Sequence, residues 1–377
     1  MFFSHPAMKY SDIVDYDKLD PFKEEAIKRF RVSLANPKRL GVGIVPETIG
    51  ETAVAVDLGI PHFYVAFNIE GLGTKNMIAE AMAEKQRIGK GIKLDRRVLF
   101  SGIGQDEMAM TLNDLAAIGA TPILFEPIIA TGSSDYLVDQ DVANGLLDGF
   151  EMGAQMARVA IPGGETPTLV GIVGENTIDI AGASMGIISP KQRILTGRGI
   201  EEGLTIYGVE SSGIHSNGVS LARRIAEKTK DGYFTALPTG RMLGKALLTP
   251  TTIYSPFLEK LAEERVDLKY VQPITGHGWA KIMRSKKDLK YVIENIPEVQ
   301  EEFALMQEAG PVSDLEAYKT WNMGVGLVLF APSRDSSAIK RAGERSGLQV
   351  YEMGSIQNGE REVVIVPKNI SYKPKKQ

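Results

Sequence analysis

The sequence contains no cysteine. That absence removes disulfides, thiolate metal sites and cysteine nucleophiles together, and it suits a reducing cytoplasm. Histidine is nearly as scarce: His5, His62, His215 and His277 are the full complement of 4, too few and too scattered for a histidine-rich zinc site. No apolar run approaches the roughly 20 residues that cross a bilayer, so no membrane span is expected. The opening Met1-Phe-Phe-Ser-His-Pro lacks the basic and apolar regions of a secretory leader. Basic excess is missing too. A net charge of −4 and a pI near 5.8 give no general attraction to nucleic acid or anionic membranes, while leaving room for a local pocket that takes phosphate. Internal repeats and low-complexity blocks are absent.

What is present is an ordinary globular composition, 43% apolar and 24% charged over 377 residues, with room for two or three domains. Alternating or apolar runs at 52–56, 62–67, 98–100, 123–129 and 178–188 predict strands. Helical patterns fall between them at 76–85, 106–118 and 139–158, which together predict a mixed α/β layer structure with one large sheet over residues 1–190. Ahead of these, Asp20 as N-cap and Pro21 at the first helical position predict a helix over 21–35 with Phe22, Ala26, Phe30 and Leu34 as its stripe. A polar, glycine-punctuated stretch at 191–203 predicts a domain junction. Strands at 204–209, 270–274, 324–331, 349–356 and 362–366, with helices at 211–228, 257–264, 278–284 and 336–346, predict an α+β domain over 191–367. Residues 368–377 predict a basic, disordered tail.

The most informative stretch is 101–132: a glycine-bounded turn, a helix, a Gly119-Ala-x-Pro122 stop and an apolar strand. Met108, Leu112 and Leu115 fall on one helical stripe. Asp106 and Asn113 lie almost one above the other on a different face, with Asp114 turned roughly 100° from Asn113. An acid-bearing helix beside a strand end suits a metal and phosphate site; a solvated face explains the same pattern.

Other segments carry comparable chemistry. Asn68-Ile-Glu70-Gly71-Leu-Gly73-Thr74-Lys75 joins a strand to a helix, so its glycine amides, Thr hydroxyl and Lys can hold phosphate, with Glu70 holding a metal beside them. A plain turn is the competing reading. Gly163-Gly164-Glu165-Thr166 places a carboxylate outside a strand end, where open sheets bind ligands. Asp179 stands within an apolar strand, where a buried acid needs a partner or a cation. Gly213-Ile-His215-Ser216-Asn217-Gly218 and Thr275-Gly276-His277-Gly278 each put a histidine among glycines at a helix opening, where it can donate to phosphate or move a proton.

Taken in order, these motifs, together with Ala130-Thr-Gly132, Asp179-x-Ala181-Gly182, Leu248-x-Pro-Thr-x-Ile-Tyr254 and Asn322-x-Gly-Val-Gly326, resemble the aminoimidazole ribonucleotide synthetase (phosphoribosylformylglycinamidine cyclo-ligase) family from Tyr10 to about Val366. The resemblance implies a homodimer whose N-terminal α/β domains pair their sheets, a ferredoxin-like C-terminal α+β domain, and an ATP site between them. It implies ATP-dependent closure of an imidazole ring on a small phosphoribosyl substrate, in the cytoplasm. By position it gives Glu70, Asp106, Asp114 and Asp179 to Mg²⁺. Gly71, Gly73, Thr74, Lys75, Asn113, Gly163, Gly164, Glu165 and Ser216 fall to ATP, and His215, Asn217 and Asp114 to catalysis.

The chain departs from the family in Glu70 for Asp, in the acidic segment 45–52 carrying Glu47 and Glu51, in Thr252 for Arg and in His277 for Gly. Those departures leave two further readings: another ATP-dependent enzyme of the superfamily with a different phosphoryl acceptor, or a catalytically silent nucleotide-binding protein.

Overall fold

The computed structural model describes residues 7–88 and 94–374. Residues 1–6, with His5 and the segment read for a leader, lie outside the described residues, as do 89–93 and 375–377. Ten α-helices are described: α1 Tyr16–Phe30, α2 Asn76–Ile88, α3 Arg96–Ala117, α4 Gln140–Ala157, α5 Val219–Ala226, α6 Leu243–Leu247, α7 Ser255–Glu263, α8 Glu301–Ala309, α9 Asp314–Thr320 and α10 Ser336–Ser346. None is long and apolar enough to cross a membrane.

The first half forms a five-stranded sheet from β1 Gly43–Ile44, β2 Val54–Asp57, β3 Tyr64–Gly71, β4 Thr121–Thr131 and β5 Ile178–Ile188, in the order β1-β2-β3-β5-β4. Every ladder in it is antiparallel. The second half forms a seven-stranded sheet from β6 Thr205–Glu210, β7 Tyr270–Pro273, β8 Leu289–Ile293, β9 Val325–Ala331, β10 Val350–Asn358, β11 Glu362–Ile365 and β12 Ile370–Tyr372, in the order β12-β11-β8-β10-β6-β9-β7. An apolar cluster runs unbroken from Ile78, Ile103 and Leu112 in the first half to Leu243, Trp279 and Phe330 in the second, so the halves share a core.

α3 is the spine. The run at 98–100, expected as a strand, is its first turn, because the Asp95 side chain accepts from Val98 N at 3.3 Å and caps the helix there. The glycine-bounded turn expected at 101–104 is helical as well. Its glycine serves packing: a Cβ on Gly104 would lie 2.5 Å from Leu146 O, and one on Gly149 of α4 would lie 2.1 Å from Ser101 O. The two helices touch through their backbones, which only residues without a side chain allow. Gly119, at φ +88, ends the helix as its sequence requires. Pro122 then falls in β4, an edge strand, where a missing N–H is tolerated.

β5 matches its sequence limits. Its residues alternate: Gly182 would meet Glu107 of α3, and Gly186 would meet Leu115, so the even-numbered residues face the helix. Three expectations fail elsewhere. α1 starts at Tyr16 with Asp15 as its cap, accepting from Asp17 N at 3.0 Å, so Asp20 and Pro21 lie inside the helix. Of its expected stripe Phe22, at 77%, and Phe30, at 67%, face solvent, while Ala26 is half-buried and Leu34, also half-buried, lies beyond the helix end in the 3-10 segment Arg31–Leu40. Finally, the segment expected as a disordered tail adds β12 to the sheet through Val363, Val364 and Ile365 of β11. The sequence pattern also missed β8, α8 and α9.

Candidate active site

α3 offers two polar faces, and they do different work. On one, Gln105 Nε2 donates to Thr251 O at 2.9 Å, and Asn113 spans Thr252 O at 2.8 Å and Tyr254 N at 2.7 Å. Asp106, 0% exposed, accepts through Oδ1 from Thr251 N at 2.7 Å, from Ser216 Oγ at 3.4 Å and from Lys75 Nζ at 2.8 Å. Lys75 Nζ is also 0% exposed and donates a second bond to Thr249 O at 2.7 Å. Ser216 Oγ lies 3.1 Å from Thr251 Oγ1.

This face therefore fastens the first half to the segment 249–254. Lys75, Asn113 and Ser216, expected to hold ATP, spend their side chains on that joint, while Asp106, expected as a metal ligand, commits Oδ1 to it and keeps a buried Oδ2 without a partner. Buried polar groups need such partners, and adjacency in sequence could not reveal that segment 249–254 supplies them.

His215 belongs to the same joint. It adopts φ +61, is 5% exposed, and its Nε2 accepts from Ser212 N at 3.4 Å. Burial, reinforced by the charge of Lys75, pushes its pKa down to about 3. That disfavours the imidazolium form, while the neutral ring, accepting at Nε2, keeps an N–H donor at Nδ1. Asn217 instead lines a cleft of about 100 Å³ with Gly276 and His277, closed on its other side by Tyr10, Val14 and Asp17. Thr74 Oγ1 sits 3.2 Å from Ser220 Oγ, and Gly73, at φ +79, turns the chain beside Ser216 O.

The other face of α3 carries Glu107 and Asp114, seven residues apart and so stacked two turns from each other. It looks onto the even face of β5. Glu70 of β3 pairs with Gly182, and Glu107 Oε1 lies 3.1 Å from where a Gly182 Cβ would be, so both carboxylates stand over that glycine. Burial and then the charge of Asp114 raise the Glu70 pKa to about 7, against the opposing pull of Lys281 and Arg284. Burial raises Asp114 as well, again opposed by Lys281 and Arg284. Asp114 Oδ1 is buried without a partner, and Thr52 Oγ1 fixes the Asp114 backbone by donating to its carbonyl at 2.6 Å. Two acids within the electrostatic reach of two cations, one of them with a buried carboxylate oxygen that has no partner, form the candidate active site.

Glu107 was not read from the sequence, although the spacing that linked Asp106 to Asn113 links it equally to Asp114. It is 0% exposed, and neither carboxylate oxygen has a hydrogen-bond partner. Burial, then the charges of Glu70, Asp106 and Asp179, pushes its pKa up to about 10. With the folded value above the unfolded one, its stabilising effect is complete below about pH 4.5 and is lost as pH rises toward 10. Glu107→Gln is expected to raise the melting temperature at pH 9 more than at pH 5. Equal shifts at both pH values would show that Glu107 does not titrate this way.

The remaining expected residues lie elsewhere. Asp179 is exposed and points from β5 on the face opposite Gly182, so it does not join Glu70. Gly163, Gly164 and Glu165 run exposed along the edge of β4, where Ile129 N donates to Glu165 O at 2.8 Å. Glu47 pairs with Arg198, and Glu51 accepts from Gly197 N at 3.0 Å and Tyr270 Oη at 2.5 Å, so the acidic segment ties the halves together. Among the described residues, no three acids or histidines converge as a metal cage.

Residues 50–188 match the family described as AIR synthase related protein, N-terminal domain, and residues 201–367 match its C-terminal domain. A Methanosarcina barkeri protein named phosphoribosylformylglycinamidine cyclo-ligase is 34% identical over 339 residues, covering 89% of this chain and 94% of the relative. A Methanocaldococcus jannaschii protein of the same name is 33% identical, covering 83% of each chain. Among solved structures, "AaThiL complexed with AMPPCP and TMP" superposes with a TM-score of 0.56 at 14% identity over 98% of both chains. Hydrogenase maturation protein HypE in complex with ATP gives 0.54 at 16% identity, covering 83% of this chain and 85% of that one.

Proposed function

The chain belongs to the AIR synthase related family, and from that premise we propose that it is an ATP-dependent phosphoribosylformylglycinamidine cyclo-ligase of purine biosynthesis. The formyl oxygen of the substrate attacks the γ-phosphorus of ATP, and the bond to ADP breaks. The amidine nitrogen then attacks the activated formyl carbon, the carbon–oxygen bond breaks, and phosphate leaves as the nitrogen gives up a proton. Amide oxygen leaves poorly and phosphate leaves well, so the enzyme's task is to orient the reacting ends and to bear charge.

The observation that supports this reading is the buried, partnerless Oδ1 of Asp114 on the face of α3 that Glu70 shares, within the electrostatic reach of Lys281 and Arg284. Mg²⁺ keeps several waters and takes only one or two protein carboxylates beside substrate phosphates. Glu70, half-buried, and the orphaned Oδ1 of Asp114 fit that donor set without a third acid. Mg²⁺ held there would neutralise triphosphate charge. The turn through Gly71 and Gly73 follows Glu70 directly and offers backbone amides to phosphate. Asn217 offers an amide to the substrate from its cleft.

With formylglycinamidine ribonucleotide, ATP and Mg²⁺, purified protein is expected to release one ADP for each aminoimidazole ribonucleotide formed. ADP release with a different acceptor, and none with this one, would move the protein to another activity of the superfamily.

A second copy of the chain is proposed to cover the outer face of the first sheet, making a cytoplasmic homodimer. Phe67 is 48% exposed, Ile69 65% and Ile128 42%, an apolar surface opposite α3. Ile69→Lys is expected to give a monomer by light scattering, and a dimer unchanged in that variant would place the interface elsewhere.

A further inference from the structure

The phosphoryl group in transfer needs a cation, and the lysine that the sequence offers is committed. Lys75 Nζ, 0% exposed, is held by Asp106 at 2.8 Å and Thr249 O at 2.7 Å. Arg284 is committed as well, since its Nε and Nη2 donate to Gly50 O at 3.0 and 2.7 Å. Position 252 carries a neutral threonine. Lys281 is different. Among the described residues its hydrogen-bond partner is Thr275 Oγ1, and an ammonium carries three donors. It is half-buried, and its charge reaches both Asp114 and Glu70.

The segment that carries Lys281 is rigid. His277 and Gly278 take successive left-handed conformations at φ +71 and +54, and a Cβ on Gly278 would lie 2.3 Å from Tyr318 O. Trp279 is 0% exposed and donates through Nε1 to Asn322 O at 2.9 Å, pinning the 3-10 turn Gly278–Met283 to the second half. The turn is also held toward Asp114: Arg284, three residues after Lys281, donates to Gly50 O, and Thr52, two residues after Gly50, donates to the Asp114 carbonyl. The ammonium therefore stands within electrostatic reach of both acids, and the cleft lined by Gly276 and His277 adjoins the same turn.

We propose that Lys281 is a catalytic residue that donates to the oxygens of the γ-phosphoryl group as it passes from ADP to the formyl oxygen. The inference rests on the cyclo-ligase reading. Its donors are preorganised, so they bear the charge that grows on those oxygens without rearranging. Burial lowers the Lys281 pKa while the charges of Asp114 and Glu70 oppose that. In the proposed step the lysine donates hydrogen bonds and transfers no proton, and the phosphorus–oxygen bond to ADP breaks as the bond to the formyl oxygen forms.

Wild-type protein, Lys281→Met and Lys281→Arg are compared for aminoimidazole ribonucleotide formation, for calorimetric binding of ATP with Mg²⁺, and for melting temperature. Lys281→Met is expected to lose about 100-fold in kcat, the effect of removing one preorganised donor. Its ATP affinity should stay within threefold and its melting temperature should not fall, because a half-buried charge is removed. Lys281→Arg should recover at least tenfold of the loss. The inference is overturned if Lys281→Met turns over within threefold of wild type, if its loss lies in ATP affinity rather than kcat, or if arginine restores nothing. Absence of product from the wild type would instead overturn the cyclo-ligase reading itself.

Discussion

Asp106→Ala is expected to lower the unfolding free energy by about 3–5 kcal/mol, the cost of leaving one member of a buried ion pair unpaired. Lys75 and Asp106 are both 0% exposed and 2.8 Å apart. Removing the carboxylate leaves the Lys75 ammonium with Thr249 O as its acceptor, and strips Thr251 N of its partner at 2.7 Å. The whole fastening between α3 and the 249–254 segment then loosens, so urea unfolding should show a lower midpoint and an onset in the second half.

Lys75→Met combined with Asp106→Leu should recover part of that loss, because no buried charge is left unpaired, although Thr251 N and Thr249 O still lose their partners. A double-mutant cycle measures the coupling directly. If Asp106→Ala costs under 1 kcal/mol, the pair is not the joint described here.

Asp114→Asn should reduce turnover by about 100-fold or more, on the scale of losing one charge-bearing group at a phosphoryl-transfer site. The replacement keeps volume and removes the charge that faces Lys281 and Arg284. Stability should hold or rise, since burial already opposes the Asp114 charge and its Oδ1 has no partner to lose. The Mg²⁺ concentration for half-maximal turnover should increase at the same time. Turnover within threefold of wild type, measured by coupled ADP release, would remove Asp114 from the site. Comparing the two substitutions tests the proposed division of α3, a loss of stability from Asp106→Ala against a loss of turnover from Asp114→Asn.

That separation explains which parts of the site were legible. Period and punctuation were enough for β5 and α10, whose limits the structure reproduces or nearly so, because an alternating run and a capped amphipathic stripe each fit one element. They failed at 98–100, where a β-forming run became the first turn of α3. Asp95 caps that turn, and the glycines of α4 let the helices close on each other. A local pattern has no access to the partner helix, and tertiary packing overrides propensity there.

The acids show the same division. Sequence alone determined that the chain has no cysteine chemistry, that 101–132 carries a helix stop and a strand, and that motifs in a fixed order place it beside the cyclo-ligases. Only the tertiary structure decided that Asp106 and Lys75 neutralise each other, that Asp179 faces away from Glu70, and that Glu107 is buried without a partner. It also decided that Lys281, from a distant turn, comes within electrostatic reach of Glu70 and Asp114. Spacing along a helix fixes which side chains share a face. What that face meets, and so whether an acid is a fastener or a site, depends on segments that come together only when the chain folds.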